Sequence, residues 1–246
     1  MAAALRRVDD RADRLHVRLD RPEVRNAIDK AMVGELHEVC AELEARPRIL
    51  VLSGSERVFA SGADIAELRE RGRDDALAGI NSRLFERIAR LPMPVIAAVD
   101  GWALGGGAEL AYAADFRLAG ENARFGNPEV GLGIIAAAGA SWRLKELVGE
   151  TLALEVLLAG RVLDAPEALA AGLVSAVHAS SDLVGAADAL ADRIAEQDPT
   201  AVRYTKQVFR APRAAHPDID DLAQSVLFES PAKRERMTAF LERKKR

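Results

Sequence analysis

Apolar and polar positions alternate along the first two thirds of the chain in a way that predicts strands followed by helices. Residues 15–19 alternate with period two, as in a strand, whereas 49–52 and 94–99 are the short apolar runs of buried strands. Residues 116–119 suggest one more strand. Helical spacing or a helix-capping residue marks four further segments, 29–45, 64–71, 75–90 and 106–113. Strands alternating with helices predict an α/β fold with parallel strands.

The pattern changes near residue 180, after which helical spacing continues to the C terminus. Prolines interrupt it at four places, each near a helix start, where a missing N–H costs little: Pro199, Pro212, Pro217 and Pro231. The apolar stripes of this region need a partner, which is either its own core or another subunit. The stripes are Leu222, Val226 and Leu227, then Met237, Phe240 and Leu241. We therefore expect a core over residues 1–180 and a helical region over 181–246.

Composition excludes several classes of function. A net charge of -4 over 246 residues argues against bulk binding to nucleic acid. The single Cys40 excludes an internal disulfide, and four scattered His residues argue against a metal cluster. No apolar run reaches the roughly 18 residues of a membrane span. The arginines near the N terminus alternate with Asp9, Asp10 and Asp13, unlike a transit peptide, so a cytoplasmic protein is expected.

A glycine triplet marks the most informative stretch, 94–115. An apolar strand runs into Gly105, Gly106 and Gly107 and then into an Ala-rich helix. Free amides at a helix N terminus can bind an anion or a developing oxyanion. The spacing fits neither a dinucleotide fingerprint nor a phosphate loop. The alternative is that the glycines only allow tight packing of strand and helix.

Two glutamates lie in apolar surroundings. Glu109 is on the first turn of the Ala-rich helix, and Glu129 follows Pro128 before a Gly-rich apolar loop. Carboxylates held near one apolar site can act as a general acid and base, because their environments separate their pKa values. Glu109 on a solvent-facing side is the alternative, and a separation of twenty residues does not itself establish proximity.

A turn of small residues, 58–66, offers a second backbone donor. Small side chains let a ligand approach the backbone, so Ala63 N–H is a candidate oxyanion donor. Asp64 is predicted to cap the following helix. An ordinary glycine turn followed by that cap is the alternative reading.

In this order and at this spacing, the motifs resemble the enoyl-CoA hydratase/isomerase, or crotonase, superfamily. The resemblance covers nearly the whole chain. It rests on Arg21-Pro22 with Asn26-Ala27, Phe59-Ala-Ser-Gly-Ala-Asp-Ile65, Pro94-Val-Ile-Ala-Ala-Val-Asp-Gly101, Gly105-Gly-Gly-Ala-Glu-Leu110, Ala114-Asp115, Phe125-Gly-Asn-Pro-Glu129, Arg143-Leu144, Val148-Gly149, Gly160, Ala165 and Ala171-Gly-Leu-Val174.

The resemblance implies a spiral of β-β-α turns followed by a helical C-terminal trimerisation region, with trimers often paired into hexamers. It implies an acyl-CoA thioester as substrate and no separate cofactor or metal. Ala63 and Gly106 would hold the thioester oxygen. Family hydratases use two glutamates, matched by Glu109 and Glu129, with Glu129 giving a proton to C2. Isomerases often keep only the later one, so hydration of a trans-2-enoyl-CoA is favoured.

The resemblance also implies the contacts to CoA. They would come from the turn with Arg25 and Ala27, from the loop containing Ser61, Gly62, Asp64 and Ile65, and from Arg57. Gly105 and Ala137 would also bind the substrate. The adenine would lie by residues 61–65. The basic ending 240–246 resembles the family tail that approaches CoA phosphates, with Arg243 as the matching cation. A solvated terminus is the alternative for that tail.

Three departures from the family pattern bear on the reaction. Residues 136–141 read Ala-Ala-Ala-Gly-Ala-Ser where hydratases usually have Pro-Gly-Ala-Gly-Gly-Thr. Ala137 would keep a water-holding N–H but lose the freedom of glycine. Trp142 would reshape the acyl pocket, and Ala66 replaces a common lysine. Double-bond isomerisation, another crotonase reaction and a non-catalytic acyl-CoA carrier therefore remain alternatives.

Overall fold

Two sheets form the core of the protein in the computed structural model, which describes residues 3–55 and 57–243. The strands are short, and most lie in the first half of the chain. They are β1 (Leu5–Asp10), β2 (Arg14–Leu19), β3 (Ile49–Ser53), β4 (Val58–Ala60), β5 (Val95–Val99), β6 (Trp102–Leu104), β7 (Phe116–Gly120), β8 (Arg124–Gly126), β9 (Leu163–Asp164) and β10 (Ala176–His178).

Helices follow or flank these strands and continue to the end of the described chain. They are α1 (Lys30–Ala45), α2 (Ile65–Glu70), α3 (Arg73–Ala78), α4 (Ile80–Ala89), α5 (Gly106–Ala113), α6 (Ala140–Val148), α7 (Glu150–Ala159), α8 (Ala165–Ala170), α9 (Leu183–Ala195), α10 (Pro199–Phe209), α11 (Asp218–Phe228) and α12 (Pro231–Arg243). Short 3-10 helices occupy Pro22–Val24, Glu129–Leu132 and Arg213–Ala215.

The larger sheet has the order β1-β2-β3-β5-β7-β10, and the smaller sheet has the order β4-β6-β8-β9. Only β1 with β2 and β8 with β9 are antiparallel, and every other neighbouring pair is parallel. The chain visits the large sheet and then the small one in three successive turns, β3–β4, β5–β6 and β7–β8. The predicted α/β spiral of β-β-α turns is confirmed.

Burial on both faces explains the continuous apolar runs. All residues of β3 and β5 are buried, as expected for inner parallel strands covered by helices. One such helix, α1, begins as predicted at Asp29, whose carboxylate accepts the Met32 N–H at 2.8 Å. Its apolar positions Met32, Leu36, Val39 and Leu43 are all buried.

The single helix predicted over 75–90 is wrong. Gly79 adopts φ 62° and ψ 43°, which ends α3, and α4 starts at the next residue. A left-handed residue cannot continue an α-helix, and glycine adopts this conformation without the steric cost of a β-carbon. The break matters because Gly79 and Ile80 line the cavity described below.

The chain folds as two compact units, Met1–Ala191 and Asp192–Arg246. The first contains both sheets, and the second contains α10, α11 and α12, as the helical pattern after residue 180 predicts. Large apolar side chains of the second unit, among them Phe209, Leu222, Met237 and Phe240, are exposed. No helix among the described residues is both long and apolar enough to cross a membrane.

Candidate active site

A cavity of about 590 Å³ lies where the small sheet, α2–α5 and the loop after β8 meet. It gathers most of the residues that the sequence singled out. The predicted residues lining it are Ser61, Gly62, Ala63, Ile65, Gly105, Gly106, Glu109, Glu129 and Ala137. Segments separated by more than seventy residues thus form one site.

The loop between β4 and α2 is fastened to residues 25–28. Ile28 N–H donates to Gly62 O at 2.8 Å, and Asp64 N–H donates to Ile28 O at 3.1 Å. These bonds flank Ala63, so its own N–H points away from Ile28, toward the cavity that it lines. Within the described chain, the Ala63 N–H donates to no protein acceptor.

The N terminus of α5 forms the adjoining wall. Gly105 turns the chain into the helix with φ 50° and ψ −125°, and Gly106 is the first helical residue. A β-carbon on Gly106 would lie 3.4 Å from Ala63 N, so the two backbones are in contact. The Gly106 N–H has no acceptor within its own helix. The two candidate donors therefore stand side by side.

Gly107 instead fits the alternative in which a glycine only allows the strand and the helix to pack closely. A β-carbon there would lie 2.1 Å from Ala60 O, so only glycine lets α5 pack this closely on β4. The two interpretations of the glycine triplet therefore apply to different glycines. Gly105 and Gly106 line the cavity, and Gly107 brings the helix against the strand.

Glu109 is 3% exposed, so a solvent-facing position is wrong. All residues of α5 are buried, which leaves the carboxylate to find partners inside the protein. Its Oε1 accepts the N–H groups of Ala138 at 2.7 Å and Ala140 at 3.1 Å. Burial is the main reason that the pKa of Glu109 rises to about 7, and the charge of Glu129 adds to the rise. The group can gain or lose a proton near neutral pH.

Glu129 is 9% exposed and starts the short helix after Pro128. Burial raises its pKa, while its own backbone N–H and the Asn127 carboxamide oppose the rise. Oε2 is buried without a hydrogen-bond partner among the described residues. A buried oxygen of this kind is costly unless a proton, water or ligand engages it. The carboxyl is free to act in the cavity.

A hydrogen-bonded chain that we did not predict supports Glu129. Tyr112 Oη donates to Asn127 Oδ1 at 3.1 Å, and Asn127 Nδ2 donates to Glu129 Oε1 at 3.4 Å. Both residues are buried, and burial raises the pKa of the Tyr112 phenol. The sequence carries a faint signal, because Tyr112 is one helical turn after Glu109 and Asn127 precedes Glu129 by two residues.

A second cavity, of about 960 Å³, also contains Ser61. Arg25, Arg57, Arg18 and Trp102 line it too. The turn that carries Arg25 has two residues with φ 55°, Arg25 and Asn26. The buried Asn26 carboxamide accepts the Arg21 N–H and donates to Val58 O and Phe59 O, which holds the turn against β4.

The other predicted residues lie outside both cavities. Ala27 is buried, and Asp64 caps α2 by accepting the Glu67 N–H at 3.0 Å. Arg243 ends α12 in the second unit, and Lys244, Lys245 and Arg246 of the basic tail lie outside the described residues.

The departures from the family pattern lie in different places. Ala137 lines the first cavity, whereas Ala66 is exposed on α2. Trp142 does not line that cavity, since it is 41% exposed and borders a separate surface cleft beside α4. Among the described residues, no three His, Cys, Asp or Glu side chains are grouped to hold a metal ion.

Known proteins are similar to this chain in sequence and in fold. The family model for enoyl-CoA hydratase/isomerase matches residues 12–246. A short-chain-enoyl-CoA hydratase of Clostridium acetobutylicum is 38% identical over 93% of this chain and 91% of its own length. A 2,3-dehydroadipyl-CoA hydratase of Escherichia coli is 41% identical over 78% of this chain and 76% of its own.

A solved structure titled enoyl-CoA hydratase from Bacillus anthracis superposes with a TM-score of 0.91 at 31% identity. The superposition covers 98% of this chain and 96% of the Bacillus anthracis chain. Sequence and fold thus agree over nearly the full length, as the motifs between Arg21 and Val174 predict. The chain belongs to the enoyl-CoA hydratase/isomerase family.

Proposed function

We propose that this protein hydrates a trans-2-enoyl-CoA to a 3-hydroxyacyl-CoA. One observation carries the proposal: two buried carboxyls, Glu109 and Glu129, and two unengaged backbone amides, of Ala63 and Gly106, line one cavity. Hydration needs both kinds of group, because water must lose a proton while negative charge develops on the thioester oxygen. The family membership supports this reading.

The amides of Ala63 and Gly106 bind the thioester oxygen. Addition of water at C3 moves electrons from the double bond toward that oxygen and gives an enolate-like species. Two fixed N–H groups beside the positive end of α5 stabilise this charge without reorganising. Loss of one such donor costs about 2.7–4 kcal/mol of transition-state stabilisation in comparable sites.

The two carboxyls exchange protons with water and with C2. Ionised Glu109, held by the N–H groups of Ala138 and Ala140, takes a proton from the water that attacks C3. Protonated Glu129 gives its proton to C2, and its unpartnered Oε2 is a position for that proton. Two neighbouring buried carboxyls with raised pKa values favour one shared proton at neutral pH. The sum of the steps adds one water across the double bond.

CoA occupies the second cavity in this proposal. Arg25 and Arg57 provide positive charge for its phosphates, and Ser61, shared by both cavities, marks the passage toward the thioester site. Gly62 and Ile65 line the thioester cavity beside that passage. We assign further CoA contacts to Ala27 and Asp64, with the adenine near residues 61–65. We assign the acyl-CoA-binding core to residues 1–180.

A helical oligomerisation region over residues 181–246 completes the proposal. Exposed apolar residues on α11 and α12 support a homotrimer or a dimer of trimers, with Arg243 as a cation for CoA phosphates. Sedimentation equilibrium of the purified protein tests the assembly. A stable monomer contradicts it.

Incubation of the purified protein with crotonyl-CoA and longer trans-2-enoyl-CoA esters tests the reaction. We expect the absorbance of the conjugated thioester to fall and a 3-hydroxyacyl-CoA to appear by mass spectrometry. The absence of hydration at every chain length, with correctly folded protein, refutes the proposal.

Two parallel assays identify the alternatives. Conversion of a 3-enoyl-CoA into its conjugated isomer, without hydration, indicates a double-bond isomerase. Tight acyl-CoA binding without turnover of any enoyl substrate indicates a non-catalytic carrier. The retention of both buried glutamates supports hydration over these outcomes.

A further inference from the structure

Arg71 introduces a positive charge into the cavity that holds Glu109 and Glu129. It follows α2 directly, and it is the only basic residue among the described residues that line this cavity. Its side chain is 12% exposed. A guanidinium remains charged in proteins, so its burial is costly unless its N–H groups find acceptors.

The protein itself engages little of this guanidinium. Its partner among the described residues is Glu67, whose Oε2 lies 3.4 Å from Nη2, at the long end for a charged pair. The Nε is buried with no partner among the described residues. Of the five N–H donors of an arginine, one is therefore engaged by another described residue. The remaining donors suit an acceptor that carries negative charge.

The acidic neighbours of Arg71 also bind other donors. Glu67 Oε2 also accepts the Lys30 N–H at 3.1 Å. Asp75, another residue of the cavity wall, accepts the Gly72 N–H at 3.1 Å and lies 3.6 Å from Lys30 Nζ. Among the described residues, Glu67 makes a hydrogen bond to the guanidinium and Asp75 interacts with it through charge.

Helix α2 separates Arg71 from Ala63, the backbone donor at the reacting end of the cavity. Ala63 precedes this helix and Arg71 follows it, so the backbones at the two ends are about 9 Å apart at 1.5 Å per residue. The apolar side chains of Leu132, Ile134 and Ile135 also line the cavity. A chain with an apolar middle and an anionic end fits this arrangement.

We propose that the acyl chain of the substrate ends in a carboxylate, which Arg71 binds while the thioester lies at Ala63 and Gly106. The proposal rests on the proposed function and names its substrate class: the CoA monoesters of dicarboxylic acids. A planar guanidinium can hold both oxygens of one carboxylate, which an ammonium group cannot do.

Binding of saturated analogues tests this recognition without any turnover. Dissociation constants of glutaryl-, adipyl- and suberyl-CoA are measured by calorimetry against their neutral partners pentanoyl-, hexanoyl- and octanoyl-CoA. The proteins are the wild type, R71M, R71K and R69M. Arg69 is the matched control, because it lies on α2 two residues before Arg71, is 79% exposed and pairs with Glu70 outside the cavity.

We expect the wild type to prefer the dicarboxylic ester at one or more of these lengths. R71M reduces that preference by roughly 10- to 100-fold, the size of a hydrogen bond to a charged group. R71K restores part of it, and R69M leaves it unchanged. Equal binding of the matched esters by the wild type at all lengths overturns the proposal, as does an equal loss for both esters in R71M.

Hydration of trans-2-enoyl-CoA esters, both with neutral chains such as crotonyl-CoA and with chains that end in a carboxylate, is measured separately and decides the proposed function. Turnover of crotonyl-CoA without a preference for the charged esters keeps the proposed function and removes the role of Arg71. An Arg71-dependent preference without any turnover refutes hydration and keeps the carboxylate-binding site.

Discussion

The carboxyl group of Glu129 lies against the backbone of Gly105. A β-carbon at residue 105 would stand 3.1 Å from Glu129 Oε1, and Gly105 itself has φ 50°. One glycine therefore does two things: it turns the chain into α5 and leaves space for the carboxyl that faces the cavity. Gly105 follows β6 and Glu129 follows β8, so the positions of residues from two turns of the spiral depend on each other.

Substitution of Gly105 tests this dependence. We expect G105A to lower the free energy of unfolding by about 1–3 kcal/mol, because alanine is strained at this backbone conformation. It also lowers turnover by displacing Glu129. The matched control is G34A, in the interior of α1 with open space around the position, which we expect to stabilise by about 0.5–1 kcal/mol. Denaturant unfolding and enoyl-CoA hydration measure both effects, and full activity of G105A contradicts the prediction.

The raised pKa of Glu109 makes stability depend on pH. Its pKa is about 7 in the folded protein and near 4.5 in the unfolded chain, so the folded state favours the protonated form. This contribution is fully present below pH 4.5 and is lost as the pH rises through 7. E109Q cannot ionise, so above pH 7 we expect it to gain on the order of 3 kcal/mol relative to the wild type. Unfolding curves of both proteins from pH 4.5 to 8 test this, and a constant difference would falsify it.

Replacement of Glu129 separates proton transfer from binding. E129Q keeps the size of the side chain and removes its titratable proton. We expect turnover of crotonyl-CoA to fall by at least roughly 10²-fold, as for the loss of a general acid or base, while the Kd of acyl-CoA stays within a few-fold. Stopped-flow absorbance and calorimetry measure the two quantities. Unchanged turnover would assign the proton transfer to another group.

Asn127 is expected to set the pH range of the reaction. Its carboxamide donates to Glu129 and lowers the pKa of that carboxyl, so N127A raises this pKa further. Because Glu129 acts in its protonated form, the decline of kcat at alkaline pH moves to higher pH. Asn122 provides a control, since its exposed carboxamide bonds to Ser180 away from the cavity. If the pH–rate profile of N127A is the same as that of the wild type, Asn127 does not have this role.

Local patterns were sufficient for the long elements of the fold. The run 49–52, the capped helix after Asp29 and the Ala-rich helix from Gly106 appear in the structure nearly as predicted. The strands of the small sheet were missed, because β4, β6 and β8 have three residues each. Such lengths are too short to show a period of their own, and they form only because neighbouring turns of the spiral pair with one another.

The candidate site was likewise predictable from the sequence only in part. The sequence by itself named Ala63, Gly106, Glu109 and Glu129, because small residues and carboxyls in apolar surroundings stand out along the chain. The resemblance gave them roles. The proximity of Ala63 to Gly106 and of Glu129 to Gly105 followed only from the packing of the two sheets and α5.

What the sequence determined is therefore the order of strands and helices, the family and the residue types of the site, since each is written in local patterns. Tertiary structure alone decided which carboxyl oxygens are hydrogen-bonded and which stay free. It also placed Arg71 inside the cavity and Trp142 outside it. Burial and contact depend on segments that meet only after folding, and no local pattern records the distance between them.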